Sequence, residues 1–190
     1  MTWWTAALAA LLLVAPVSAT QRPDFSGNWV LESGERPAFG TTLTATQDDR
    51  SLTLELTSLH LFDSRPAQER ADEHPVLRYA FDGRSVVTEH VVPQRSGRSP
   101  TSTGQALEGS ETRATWSADH LVVVTHSRHR VWSPESPDNW TLRRTTRHGL
   151  SLRADGALVV RTVTIEDPSP WRPAPQASPR EIVSVYRRSN

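Results

Sequence analysis

Cysteine and lysine are both absent from the 190 residues. Without cysteine there is no disulfide, no thiol nucleophile, no thiolate metal site and no lipid-modified N-terminal cysteine. Without lysine there is no Schiff-base lysine, no P-loop lysine and no Ser-x-x-Lys pair. All 21 basic residues are arginine, and they balance 21 acidic ones. A neutral balance gives no pull toward nucleic acid or anionic lipid. There is no Gly-x-Ser-x-Gly elbow. No segment sustains a period of 3.6, so helix content is expected to be low. After the first 19 residues no apolar run approaches membrane-spanning length.

What is present begins with an address. The run "TAALAALLLVAPVSA" ends in Val17-Ser18-Ala19, a small-residue cleavage site of the secretory type. Residues 1–19 are therefore expected to be a signal peptide, although "MTWW" carries no basic residue and an uncleaved anchor is the alternative. The mature chain, residues 20–190, is of single-domain length. It is expected in a periplasm or outside the cell, with no transmembrane anchor after signal removal and as a monomer. Abundant Ala, Pro and Arg suggest a GC-rich bacterial source.

Nearly every regular segment after residue 25 reads as strand. In "LTLEL" Leu52, Leu54 and Leu56 share one face and Thr53 and Glu55 the other. The preceding "TTLTATQ" pairs with it through Asp48-Asp49-Arg50. "LRYAFDGRSVVTEHVV" has the strongest turn signal, Asp82-Gly83, and predicts a hairpin. Two more are predicted, one turning near Ser117 to His120 and one at Ala154-Asp155-Gly156; "EIVSVYRR" supplies a last strand. The fold expected is all-β, an up-and-down antiparallel barrel of about 8–10 strands. Mobile loops are expected near 60–75, 93–110 and 167–180. The last carries five prolines and reads as a connector or a docking ligand.

The segment Phe25-Ser26-Gly27-Asn28-Trp29-Val30-Leu31 resembles the F-x-G-x-W-x-L opening of the fatty-acid-binding-protein branch of the calycins, whose G-x-W core lipocalins share. The chain also resembles small secreted bacterial proteins that open "DFSGTW" and have no established function. Tyr79-Ala80-Phe81-Asp82-Gly83, Trp116-Ser117-Ala118-Asp119-His120-Leu121 and Tyr186-Arg187-Arg188 match their later motifs. The resemblance implies a calycin-like barrel. Its Trp29 closes one end under a late-strand arginine, with Phe25 and Gly27 beside it and Arg188 as the arginine. Two departures matter. The inward Arg-x-Tyr that holds a fatty-acid carboxylate is here Ser184 and Tyr186, and "ESGERPAFG" is too short for a two-helix lid. The last strand can also be read in the other register, with Arg187 inward.

Register arguments nominate Tyr79, Phe81, Trp116, Trp140, Arg144 and Tyr186 as the lining of one internal ligand cavity, with Arg144 fixing a polar end. The expected partner is a small lipophilic or amphipathic molecule. No nucleic acid, metal or other cofactor is expected. His126 and His129, three apart on a strand, point to opposite faces and cannot chelate one ion. Two rival readings stand beside ligand binding. One is a non-catalytic structural or interaction module of the cell envelope. The other is a cyclase or isomerase on a similar barrel, for which no catalytic residues assemble.

Overall fold

The computed structural model describes residues 22–34, 37–56, 76–89, 104–133, 136–167, 179 and 181–189. The signal segment and most of the three expected loops lie outside these. Ten strands follow in chain order. They are β1 (Gly27–Ser33), β2 (Thr42–Gln47), β3 (Ser51–Leu56), β4 (Val76–Ala80), β5 (Ser85–Glu89), β6 (Gly104–Ser117), β7 (His120–Ser133), β8 (Ser136–Leu152), β9 (Leu158–Glu166) and β10 (Glu181–Arg188). They form one antiparallel sheet in the order β4-β3-β2-β1-β10-β9-β8-β7-β6-β5, curled into a half-barrel. Each ladder joins sequence neighbours except β1–β10, which ties the first strand to the last.

Turn chemistry explains most of this order. The Asp48 carboxylate accepts from the amides of Arg50 and Ser51, which sets the β2–β3 reversal. Asp155 accepts from the Ala157 amide while Gly156 takes φ +78°, and β8 turns into β9. Ala118, at φ +53°, turns β6 into β7. The Asp82-Gly83 turn behaves otherwise. Strands stand on both sides of it, but β4 pairs with β3 and β5 pairs with β6, at opposite edges of the sheet. The expected hairpin is thus a link between the two edges of the curled sheet. A second correction concerns β6. It begins at Gly104, so residues 104–110 of the expected loop are strand.

Cross-strand partners share a face, so the register assigns the interior. One inner row runs Trp116–Leu121–Leu150–Val160–Ser184 across β6 to β10. Another joins Trp29, Leu43 and Leu56. Trp29, Leu43, Leu52, Leu54, Leu121, Leu150 and Val160 are all buried, together with Phe25 and Phe39 from outside the strands. On β10, Ser184 and Tyr186 are buried, while Arg187 faces outward and pairs with Glu32 and Asp155. Burial pushes the Tyr186 hydroxyl up to about 12, and that hydroxyl donates to the Gly40 carbonyl at 3.0 Å.

Gly34 directly follows the register slip of β1 against β10, which falls between Leu31 and Ser33. Its φ is +135°, and an added Cβ would lie 2.8 Å from the Val183 carbonyl oxygen and 2.9 Å from the Ser184 Cα. Both are backbone atoms that cannot swing away. Gly34→Ala is expected to cost about 1–3 kcal/mol in urea unfolding from backbone strain, before any displacement of β10. An unchanged midpoint would mean that the close approach of Gly34 to β10 is not maintained in solution.

Candidate functional site

The nominated residues separate into two groups. Tyr79 and Tyr186 are buried in the core, and Phe81 and Trp116 pack against it. Trp116 stacks on Phe25 with centroids 5.7 Å apart and meets Phe81 edge-on at 5.4 Å. The Arg22 guanidinium lies 5.6 Å from the Trp116 ring and 6.0 Å from that of Phe81. The Trp116 indole N–H is buried and has no acceptor among the described residues. Burial alone raises the Tyr79 hydroxyl.

Trp140 and Arg144 lie elsewhere. They share the inner face of β8, but Arg144 opposes Ser127 whereas Trp116 opposes Leu121. Six residues along β7 is about 20 Å, so one small cavity does not join the two groups. Nor does the Arg144 guanidinium lack a partner, since its Nε and Nη2 both donate to Glu166. Burial and the Arg144 charge hold the neighbouring His129 imidazole below its ordinary value. His126 faces the other side, with Nδ1 3.0 Å from the Thr145 hydroxyl. Among the described residues no three His, Asp or Glu side chains gather as a metal site would need.

On β1, Trp29 is buried and its indole N–H donates to the Phe25 carbonyl at 2.9 Å. The Arg188 guanidinium lies 5.1 Å above the ring. Gly27 makes room for it, because a Cβ there would come within 3.3 Å of Arg188 Nε.

A groove of about 320 Å³ lies not in the core but over β5 to β8. Strands β6, β7 and β8 are 14, 14 and 17 residues long and outrun the strands around them. Two outer rows line the groove. The first runs Val87–Glu111–His126–Thr145 and the second Glu89–Gly109–Arg128–Arg143. A bulge at β6 between Leu107 and Gly109 sets the second row. Gly109 carries no side chain, and a Cβ there would lie 2.7 Å from Glu89 Oε2. Glu89 therefore reaches across β6 to Arg128, whose Nη2 donates to both carboxylate oxygens at 2.8 and 2.9 Å.

Arg143, the next residue of that row, directly opposes Arg128. It has no ion-pair partner among the described residues, and neither do Glu111 or Asp167 at the groove's margins. Like charges directly opposed on neighbouring strands repel, and only one of these two has an ion-pair partner among the described residues. The row Glu111–His126–Thr145 holds an acid, an imidazole and a hydroxyl. Glu111 makes no bond to His126 among the described residues, so the second contact that orients a catalytic base is missing. The arrangement suits recognition of charge. Sequence reasoning passed over Arg143, Arg128, Glu89 and Glu111 because it weighed inward faces only. The signal was the adjacent pair Arg143-Arg144, of which a strand must turn one outward.

Comparison with protein-family models, with curated proteins and with solved structures finds no match.

Proposed function

We propose that this chain is an exported, non-catalytic binding protein, whose barrel is a scaffold and whose ligand site is the groove over β5 to β8. The observation that carries this reading is the contrast between the interior and the groove. The interior is occupied by large side chains with almost no exposure, among them Trp29, Tyr186, Phe25 and Phe39. The groove has a volume of about 320 Å³, at the lower end of ordinary ligand sites, and charged groups line it. The ligand is then a small polar molecule rather than a lipid. Export rests on the N-terminal apolar run with its small-residue cleavage site.

A second reading keeps an amphipathic ligand at the barrel itself. The buried Trp116 N–H without an acceptor, beside Phe25, Phe81 and the Arg22 guanidinium, favours it. A carbonyl or carboxylate oxygen would satisfy that donor. One experiment separates the two. Mixtures of polar metabolites, and separately of fatty acids, are titrated into the labelled protein while amide and indole NMR signals are followed. Groove binding is expected to move Gly109, His126, Arg128 and Thr145 with polar molecules and to leave Leu150 and Val160 still. Movement of the Trp116 indole signal with fatty acids alone would replace the groove by the barrel as the site.

A further inference from the structure

We infer that the groove recognises a small zwitterion, seating a carboxylate on Arg143 and a cationic group at Glu111. This rests on the groove being the binding site, and it goes further by naming the charges of the ligand. Arg128 and Arg143 are directly opposed across β7 and β8. Glu89, laid over Gly109, neutralises Arg128 and leaves the second guanidinium without an ion pair among the described residues. Asp167 donates its backbone N–H to the Arg143 carbonyl at 3.0 Å but makes no ion pair with the guanidinium. Of the opposed pair, Arg143 is therefore the guanidinium without an ion pair among the described residues, and one carboxylate answers it by a charge-assisted pair.

The margins define the rest of the ligand. Glu111 lies across β7 from Arg143, one row further along, and it too has no ion-pair partner among the described residues. Glu111 and Asp167 together repel a dianion such as phosphate and attract an ammonium or guanidinium group. Two strand spacings separate β6 from β8, about 10 Å at the backbone. An α-amino acid is too short to reach both ends. An unblocked tripeptide, at about 3.5 Å per residue, spans them.

The test uses the mature protein at low salt and four probes: trialanine, N-acetyl-trialanine, trialanine amide and inorganic phosphate. Binding is read by calorimetry and by the Nε–Hε NMR signals of Arg143 and Arg128. Trialanine is expected to bind and to move the Arg143 signal. Blocking either end should weaken it about tenfold, the scale of one charge-assisted contact. Arg143→Met and Glu111→Gln should each reproduce that loss with trialanine. Glu111→Gln should not weaken N-acetyl-trialanine any further, because that probe lacks the ammonium group. Both side chains are exposed, and an unchanged amide spectrum in the core shows that the variants fold. Equal binding of the blocked peptides, or phosphate binding as tightly as trialanine, overturns the zwitterion. So does a groove that takes other polar metabolites but not trialanine, and that result leaves the groove itself as the site. If no polar molecule moves a groove signal, the underlying reading fails as well.

Discussion

Trp29→Ala is expected to destabilise the protein by about 3–5 kcal/mol, the scale of truncating a fully buried aromatic side chain. Three losses combine. The indole is 1% exposed, so its removal leaves a cavity between β2 and β10. The Phe25 carbonyl loses the N–H that satisfies it. The Arg188 guanidinium loses the ring it lies across, and its side chain is left over Gly27 with nothing beneath. Arg188→Met should cost far less, about 0.5–1 kcal/mol, because the cation–π contact is on the solvent side. Urea unfolding of both variants checks the ordering. A loss below about 1 kcal/mol for Trp29→Ala would mean that the indole is not packed between β2 and β10 in solution.

Trp29 could be placed from sequence because the opening motif puts it on the first strand with a glycine before it, and Gly27 takes a φ of +138° beneath the Arg188 side chain, whereas Phe25 precedes the strand and is buried against Trp116. The hairpins β2–β3, β6–β7 and β8–β9 were legible for a similar reason. Each is set by a local turn whose capping residues adjoin the strands they join. The Asp82-Gly83 turn carries the same local signal and joins strands that never pair. Whether β4 meets β5 is decided by competition with β3 and β6, and that competition is invisible in a window of a few residues. The start of β6 was missed because Gly104 to Ser110 holds two glycines and continues a stretch rich in Pro, Ser and Thr that resembles a loop. Pairing to β7 from Gly104 onward overrides it.

The polar chemistry was less legible than the core. Apolar burial follows alternation, which is a property of one strand at a time. Charge partners depend on register between strands. Arg144 could be placed on an inner face, but nothing near it in sequence announces Glu166, which lies 22 residues away and across a ladder. Glu89 reaching Arg128 over a glycine on the intervening strand depends on three strands and a bulge at once. Such contacts appear only when the sheet order is known, and they are what leaves Arg143 with a charge to offer.

Lowering the pH from 7 to 5 is expected to cost the wild-type protein about 2 kcal/mol of stability through His148 alone. The ring sits on the inner face of β8, tilted against Phe39 at 5.1 Å, and its Nδ1 lies 3.0 Å from the Thr162 hydroxyl. Burial holds its pKa down at about 4, against 6.5 for an ordinary imidazole. Between those values the unfolded chain binds a proton that the folded chain refuses, so acid in that window favours unfolding. The stability is whole above about pH 6.5 and is lost progressively toward pH 4, where the total reaches about 3 kcal/mol. His129, also held below its ordinary value, adds a smaller contribution of the same sign. His148→Gln keeps a polar group near Thr162 and removes the titration. Urea unfolding of wild type and variant at pH 7, 6 and 5 isolates the effect, because most carboxylates remain ionised at pH 5. The wild-type curve should fall more steeply by about 2 kcal/mol over that range. Parallel curves would show that His148 meets solvent, and with it that the interior behind Phe39 is open rather than filled.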